Sequence, residues 1–375
     1  MKITKVLAVT LMMSIFMCAC GEKQNDNNSY SAADNASQYQ SGEIGDTTVT
    51  PSETGFHPDY DEGEQNLSML SSYVVSQGKW VYYYSSDEIM KMDENKNIYT
   101  VFPVSDVKGI CVLGDWIYYY KYNEIGRVKT DGTNQEIIKN IKIRTPFLIK
   151  DNVLLYVEEH DSSATSEDYF LQGYDINSKE DVLPEESFNG KILGLYKDKV
   201  YLLEENGLYC VDIAQGEENE VLTMEGLEGG FIYGDELLYS RSTGWADTQT
   251  DLYVVNLENG TLDYSTQFEF GKDSSQLLST GQVAELCGAC NVSGKEYWVM
   301  RVDFSTIYLV SEEEAKETLP DDLDVIKVVE EDKNEVSIYR ACVVDNYIYY
   351  LGDSNATSHL YRIAFDGTDW SYIKS

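Results

Sequence analysis

The sequence predicts an all-β protein, a β-propeller of four-stranded blades with seven blades, six or eight being the alternatives. The first observation is composition: Tyr is abundant (30 of 375 residues) and Pro is scarce (6), and aromatic residues favour strands. The second is a sevenfold recurrence of a two-residue turn followed by an apolar or aromatic strand, with a base period of about 36 residues.

Each recurrence begins at a turn whose residues tolerate the positive φ of a tight hairpin. The seven predicted turns are Gly78-Lys79, Gly114-Asp115, Asp151-Asn152, Asp198-Lys199, Gly234-Asp235, Gly294-Lys295 and Asp345-Asn346. An apolar strand precedes each turn, and a second turn closes several repeats, most clearly at Asp131-Gly132 and Asp366-Gly367. Four strands in about 40 residues are typical of a propeller blade. Because the last repeat is full and does not look like a cap, a closed ring is favoured over a linear solenoid.

Two repeats carry a more specific pattern. The second repeat reads Ile117-Tyr118-Tyr119-Tyr120, then Ile125-Gly126-Arg127-Val128, then Asp131-Gly132-Thr133-Asn134, and the last reads Ile348-Tyr349-Tyr350, Tyr361-Arg362-Ile363 and Asp366-Gly367-Thr368. This pattern resembles the Tyr-Trp-Thr-Asp (YWTD) repeat of low-density-lipoprotein-receptor-type propellers. It most resembles a bacterial lipoprotein family of unknown function with such repeats. The resemblance covers residues 68–375, closely in two repeats and loosely in five, and implies the fold and a binding role.

The amino terminus is typical of a targeting segment. Lys2 and Lys5 flank the start of an apolar run over residues 6–17, too short to span a bilayer as a helix. Met17-Cys18-Ala19-Cys20 resembles a bacterial lipobox, in which a small residue precedes a Cys that receives diacylglycerol. We therefore predict a signal peptide over residues 1–19, lipidation of Cys20, and anchoring on the extracytoplasmic face of the cell membrane. An ordinary cleaved secretory signal is the alternative.

Residues 20–66 follow as a predicted disordered tether, and the propeller domain is predicted over residues 67–375. The tether is rich in Asn, Ser, Asp, Gln, Gly and Thr, so it buries too little apolar surface to offset the entropy of ordering. The formal net charge is −37, which argues against nucleic acid as a partner and against electrostatic attraction to an anionic membrane. We expect a monomer that reaches the membrane through its lipid.

None of the common catalytic motifs occurs in the sequence, and we expect neither a cofactor nor a metal. Cys111 and Cys342 each precede a turn by three residues and are predicted core residues. Cys287 and Cys290 form a C-x-x-C pair, for which unpaired structural thiols, a local disulfide and metal or redox chemistry all remain open. Residues 93–97 imitate the start of an EF-hand loop but are predicted to form a hairpin turn.

Loop length gives the functional prediction. In an antiparallel blade the second-to-third and the fourth-to-next-first connections emerge at one end. The predicted insertions belong to this set: His160–Asp168, Ser242–Asp251, Gly271–Gly281 and Gly352–Ser358. Long loops on a rigid scaffold commonly carry binding residues. We therefore predict a non-enzymatic binding module for protein or glycan, the alternatives being a polysaccharide hydrolase or lyase with carboxylates at the central opening, or a surface scaffold.

The candidate binding residues are Trp245, Arg241, His160 and His359. Trp245 lies outside the strand alternation with Arg241 nearby, a composition enriched at binding hot spots. The alternative for Trp245 is that it folds back over a blade edge. His160 and His359 border two of the predicted insertions.

Overall fold

The computed structural model describes residues 73–373 apart from 86, 144, 151, 161–167, 184–187, 189, 205–206, 214, 216, 224–228, 243–248, 270–283, 303–305, 314–324, 330–336 and 355–356. Within these residues the chain forms 28 β-strands, and only Glu312 and Glu313 are helical. The all-β prediction is confirmed. In this described part of the chain, no helix has the length and apolar character needed to cross a membrane.

The strands form seven four-stranded antiparallel sheets, and each sheet is a blade made of four consecutive strands. Blade 1 contains β1 (Val74–Gln77), β2 (Trp80–Tyr84), β3 (Glu88–Met92) and β4 (Ile98–Pro103). Blade 2 contains β5 (Gly109–Leu113), β6 (Trp116–Lys121), β7 (Glu124–Lys129) and β8 (Glu136–Lys139). Blade 3 contains β9 (Leu148–Lys150), β10 (Val153–His160), β11 (Asp168–Asp175) and β12 (Glu180–Asp181). Blade 4 contains β13 (Lys191–Tyr196), β14 (Lys199–Glu204), β15 (Gly207–Asp212) and β16 (Glu217–Thr223).

The remaining three blades follow the same order. Blade 5 contains β17 (Gly229–Tyr233), β18 (Glu236–Ser242), β19 (Gln249–Asn256) and β20 (Thr261–Glu269). Blade 6 contains β21 (Ala284–Val292), β22 (Lys295–Val302), β23 (Thr306–Ser311) and β24 (Val325–Val329). Blade 7 contains β25 (Ser337–Val344), β26 (Tyr347–Ser354), β27 (Thr357–Ala364) and β28 (Ser371–Ile373). The prediction of seven blades is therefore confirmed.

Four of the seven predicted turns are confirmed, and two are shifted by one residue. At the predicted Asp151-Asn152 turn, Lys150 pairs with Val153 and Asp151 itself lies outside the described residues. Tyr196 pairs with Lys199, which places the turn at Lys197-Asp198, and Val292 pairs with Lys295, which places it at Ser293-Gly294. The prediction had placed a Gly or an Asp at the first position of every turn. Lys197 (φ 54°) and Ser293 (φ 56°) instead adopt the left-handed conformation there, which the neighbouring pairs of the hairpin impose.

The core lies between the blades. Among the described residues, buried apolar side chains form seven clusters, one in each space between neighbouring blades, including the space between blades 7 and 1. Adjacent residues of one strand enter different clusters: Val74 packs toward blade 7 and Val75 toward blade 2. Because both faces of a blade are buried around its second strand, a second strand such as β6 reads as a continuous apolar or aromatic run. An outermost strand such as β16 is polar and largely exposed.

Among the residues that the structure describes, blades 1 and 7 meet without exchanging a strand. Side-chain hydrogen bonds join them: the Tyr73 hydroxyl donates to the Tyr349 carbonyl over 3.0 Å, and the Ser76 hydroxyl donates to the Asp345 carboxylate over 2.9 Å. The apolar cluster between these blades contains ten buried residues, five from each side. We call this junction the seam.

Lysines connect neighbouring blades. Lys139 of blade 2 pairs with Asp181 of blade 3, and Lys150 of blade 3 pairs with Asp198 of blade 4. The Lys197 ammonium of blade 4 lies 2.5 Å from a Glu258 oxygen of blade 5. With 28 basic residues against 65 acidic ones, these contacts place positive charge between blades that carry an acidic excess. Ion pairs near the surface are screened by solvent and contribute little to stability, so the apolar clusters remain the main source of cohesion.

Candidate functional site: an aromatic patch on blade 7

Second and fourth strands end at the same end of a blade, and most of the long connections begin there. Residues 161–167 and 243–248 connect second to third strands, and residues 270–283 connect blade 5 to blade 6. We call this end the loop face. One expectation is corrected. The predicted Gly352–Ser358 insertion is wrong, because β26 and β27 continue pairing to Ser354 and Thr357. A long connection also begins at the opposite end, where residues 312–324 join β23 to β24.

The structure separates the predicted binding residues. Trp245 lies outside the described residues. Arg241 is in β18, where it pairs with Asp251, and His160 ends β10, where it pairs with Asp168; the side chains of both also lie outside the described part. His359 is described, in β27 opposite Gly352. These residues belong to blades 5, 3 and 7, so they do not form one cluster within a single blade.

His359 belongs to a group of aromatic side chains that the sequence did not single out. We define the blade 7 patch as His359, Tyr361, Trp370 and Tyr372. The His359 ring lies edge-on to Tyr372, with centroids 4.9 Å apart, and its Nδ1 is 3.3 Å from the Tyr372 hydroxyl oxygen. Tyr361 stacks on Trp370 with centroids 5.7 Å apart and planes inclined by 25°. The four rings therefore form one contiguous cluster, in which Tyr361 is buried and Trp370 directly precedes β28.

The patch is anchored on a buried tyrosine. Tyr350 of β26 is fully buried, stacks on Tyr361 with centroids 5.3 Å apart, and accepts a 2.6 Å hydrogen bond from the Trp370 indole Nε1. Burial raises the pKa of Tyr350 to about 12, so its hydroxyl stays protonated at neutral pH. The indole N–H is thus satisfied, and the ring is held in one orientation by a stack and a hydrogen bond.

Two patch members nevertheless reach solvent. Trp370 is 42% exposed and Tyr372 is 43% exposed. Tyr361 covers one face of the Trp370 ring, so the exposed area belongs to the opposite face and an edge. A fixed, exposed aromatic face beside an imidazole and a phenol hydroxyl can pack against an apolar surface and hydrogen-bond at its border.

Blade 2 shows that the repeat does not require this patch. By strand pairing, Tyr119 opposite Gly126 is equivalent to Tyr350 opposite Tyr361. The four patch positions of blade 7 correspond in blade 2 to Glu124, Gly126, Gln135 and Ile137. Gln135 even reproduces the Trp370 hydrogen bond, because its Nε2 donates to the Tyr119 hydroxyl over 3.1 Å. The blade fold is satisfied with no aromatic residue at any of these positions.

A signal for the patch was therefore present in the sequence. When the second and last repeats are aligned residue by residue, the last repeat has aromatic or imidazole side chains at four positions where the second repeat has none. Sequence reasoning identified only His359 because it searched the loops. The patch lies instead on the outer strands of a blade.

Tyr339 and Arg340 form a second exposed pair of side chains, at the loop-face end of β25. A bulge between Ile338 and Arg340 interrupts the first strand of blade 7, and Tyr339 is 44% exposed. Burial raises the pKa of Tyr120 to about 12, and Arg340 lies near enough to lower it in part. The Tyr84 hydroxyl, from blade 1, donates to the Lys108 carbonyl over 3.3 Å. Arg340 therefore lies near tyrosines of blades 1 and 2.

The cysteines occupy repeated structural positions. Cys111, Cys290 and Cys342 each lie in a first strand opposite a tyrosine of the second strand, and all three are buried and outside any disulfide bond. Cys287 likewise forms no disulfide bond; it lies at a bulge in β21, and its Sγ contacts the Glu285 carbonyl at 3.4 Å. Burial raises the pKa of Cys290 to about 12, which disfavours the reactive thiolate. The structure thus supports the structural-thiol interpretation of the C-x-x-C pair.

Several carboxylates of the described residues stabilise turns, and none belongs to a metal-binding cluster within that part of the chain. Within those residues, no three His, Cys, Asp or Glu side chains lie close enough together to hold a metal ion. The Asp93 carboxylate accepts hydrogen bonds from the Asn95 and Asn97 backbone nitrogens over 2.9 and 2.8 Å. The predicted hairpin at residues 93–97 is confirmed. Asp131 and Asp366 stabilise their turns in the same way, each accepting a 2.9 Å bond from the backbone nitrogen two residues later.

Comparisons with known proteins add information on the fold. Neither protein-family profiles nor curated protein sequences yield a match. Among solved structures, an oligogalacturonate lyase in complex with manganese is similar with a TM-score of 0.51 and 10% identity, covering 76% of this chain and 84% of that one. A puromycin hydrolase is similar with a TM-score of 0.54 and 9% identity, covering 81% of this chain and 53% of that one.

A third similar structure is the β-propeller domain of the Trilobed protease from Pyrococcus furiosus, described as having an open velcro topology. Its TM-score is 0.50 at 13% identity, and the alignment covers 81% of this chain and 97% of that one. These identities are too low to transfer an activity. In agreement with the sheets described above, the likeness shows that this chain has a β-propeller fold.

Proposed function

We propose that the protein is a bacterial lipoprotein, anchored through Cys20 on the extracytoplasmic face of the cell membrane, whose propeller acts as a non-enzymatic binding module. The observation that carries the binding role is the blade 7 patch. Trp370 and Tyr372 are more than 40% exposed, although the repeat is complete without them. Exposed, rigid aromatic side chains lose little conformational entropy on contact and are enriched at binding hot spots.

The anchoring half of the proposal rests on the lipobox-like stretch ending at Ala19-Cys20. Two acyl chains on one Cys give stable attachment to a membrane. A lipidated Cys followed by a polar segment of 46 residues before the propeller, over residues 21–66, would hold a binding domain away from the bilayer. Metabolic labelling with a radioactive or clickable fatty acid tests this directly. Wild type should be labelled and Cys20→Ala should not be, and labelling that persists in Cys20→Ala would contradict the assignment.

The binding half is tested with a secreted form that carries Cys20→Ala. Purified protein is incubated with envelope fractions of the producing bacterium, and bound protein is measured by sedimentation over a range of concentrations. We expect saturable binding. Non-saturating association over the whole range would contradict a specific binding module.

One alternative that the sequence left open is a hydrolase or lyase acting on polysaccharide. The same protein is therefore incubated with a polysaccharide panel, and new reducing ends and unsaturated products are measured. A binding module leaves the polymers intact. Turnover that depends on protein concentration would replace the binding role with an enzymatic one.

A further inference from the structure

The blade 7 patch also indicates the chemistry of its ligand, and the argument rests on the proposed binding role. Its exposed part consists of the Trp370 ring, the Tyr372 ring and, half-buried beside them, the His359 imidazole. A stable protein interface requires roughly 20–30 residues on each side. Three side chains match instead the size of one or two sugar rings. A pyranose has a face of C–H bonds that packs on an aromatic ring and a rim of hydroxyl groups that hydrogen-bond at the edge.

The geometry favours such a ligand. The Trp370 indole is fixed by its bond to Tyr350 and by its stack on Tyr361, so little freedom is lost when its outer face is covered. The His359 nitrogen and the Tyr372 hydroxyl lie 3.3 Å apart at the border of that face. Polar groups at the edge of an aromatic platform supply the orientation that a purely apolar contact lacks.

The charge of the protein restricts the ligand further. A net charge of −37 repels a polyanion before it reaches the surface. Uronate polymers and teichoic-acid-like phosphates are therefore disfavoured, whereas uncharged sugars are not. We propose that the blade 7 patch is a binding site for a neutral oligosaccharide or polysaccharide chain, with Trp370 as the stacking platform.

The repeat itself supplies the test variants. Trp370→Gln installs the blade 2 residue, which makes the same hydrogen bond to the equivalent tyrosine, and Tyr372→Ile installs the blade 2 residue at the neighbouring position. Both variants are expected to keep the wild-type melting temperature within a few degrees. Tyr99→Ile is the matched control, because Tyr99 is 38% exposed on the outermost strand of blade 1 and is outside the patch.

Affinity electrophoresis in native gels gives the readout. The gels contain laminarin, hydroxyethylcellulose, glucomannan, amylose or, as the polyanion, polygalacturonate. We expect the Cys20→Ala protein to be retarded by at least one neutral polymer and not by polygalacturonate. Trp370→Gln should weaken this retardation at least tenfold in apparent Kd and Tyr372→Ile several-fold, whereas Tyr99→Ile should behave as wild type.

Three outcomes overturn the proposal. They are retardation by polygalacturonate alone, retardation that Trp370→Gln leaves unchanged, and no retardation by any neutral polymer. The last outcome is separable from failure of the binding role. If saturable envelope binding persists and is abolished by proteinase treatment of the envelope, the module binds protein and only the carbohydrate assignment falls. If envelope binding is absent as well, both fall.

Discussion

Blades 2 and 7 are the two closest copies of one repeat, and they differ in how they meet the next blade. In both, an arginine of the third strand stacks on the first aromatic ring of the second strand: Arg127 lies 4.2 Å from the Trp116 ring centroid and Arg362 lies 4.4 Å from that of Tyr347. In both, the second turn is closed by an aspartate that bonds a threonine two residues on. Blade 2, however, continues covalently into blade 3, whereas blade 7 ends the ring against blade 1.

Nevertheless, the ion pairs that join blade 2 to blade 3 resemble those that join blade 7 to blade 1. In blade 2, the Glu136 carboxylate oxygens lie 2.7 Å from an Arg127 nitrogen and 3.4 Å from the Lys179 ammonium of blade 3. In blade 7, the Asp369 carboxylate oxygens lie 3.1 Å from an Arg362 nitrogen and 2.6 Å from the Lys96 ammonium of blade 1. The carboxylate comes from a strand in one blade and from a turn in the other. The seam is therefore an ordinary blade junction that lacks only the covalent connection, and the ring closes by repeating its internal contacts.

The largest expected effect tests how tightly each blade fits its preceding neighbour. Gly132 and Gly367 occupy the same turn position, with φ of +83° and +77°. A Cβ added at Gly132 would lie 2.3 Å from the Val101 carbonyl oxygen of blade 1, whereas at Gly367 the nearest atom, the Val328 carbonyl oxygen of blade 6, is 3.7 Å away. Gly132→Ala should cost about 3 kcal/mol or more, from backbone strain plus a clash, and Gly367→Ala about 1 kcal/mol.

Chemical denaturation of both variants checks this difference. Equal losses would mean that the turn of blade 2 can retreat from blade 1, and the contrast in fit between the two blades would be withdrawn.

The next effect compares the seam with the junction between blades 1 and 2. Val74 and Val75 are neighbours in β1, both at most 2% exposed, and they pack into the seam and into the blade 1–2 cluster, respectively. Val74→Ala and Val75→Ala should each cost about 2 kcal/mol in unfolding free energy. Only Val74→Ala should also speed hydrogen exchange in β1 and β25, because the seam can open locally without breaking a chain connection. Faster exchange of the same strands in both variants would show that the seam opens no more readily than an internal junction.

These comparisons explain what the sequence could reveal. The turns and the alternation between blade faces are local properties, so Gly114-Asp115 and the Tyr118–Tyr120 run predict blades directly. The two misplaced turns arose because strand pairing imposes positive φ on Lys197 and Ser293, residues with no preference for it. The patch was missed because it depends on which rings share a surface after three strands have paired. Trp245, chosen from loop composition, remains a prediction.

A smaller effect concerns a single hydrogen bond at the seam. The Tyr73 hydroxyl donates to the Tyr349 carbonyl oxygen over 3.0 Å, and both residues are at most 2% exposed. Tyr73→Phe keeps the ring and removes the donor, which should cost about 1 kcal/mol. The matched change is Tyr350→Phe, which removes the acceptor of the Trp370 indole within blade 7. Thermal unfolding measures both, and a neutral Tyr73→Phe would show that water replaces the lost donor.

The smallest effect is electrostatic and asks whether the seam depends on its ion pair more than an internal junction does. The Lys96 hydrogen bond, helped by Tyr347 and Arg362, lowers the pKa of Asp369, and the Arg127 hydrogen bond, helped by Lys179, lowers the pKa of Glu136. A carboxyl whose folded pKa is lowered stabilises the fold above its unfolded pKa of about 4, and that contribution is lost as pH falls through the folded value.

Asp369→Asn and Glu136→Gln should therefore each be destabilised at pH 7 by about 0.5 kcal/mol, since both carboxylates are more than a third exposed. The difference from wild type should shrink below pH 4 and in high salt. Denaturation of both variants at pH 7 and pH 3 is the measurement. Equal losses fit a seam built as one more repeat junction, whereas a loss several times larger for Asp369→Asn would mean that this one ion pair, without a chain connection behind it, holds the ring closed.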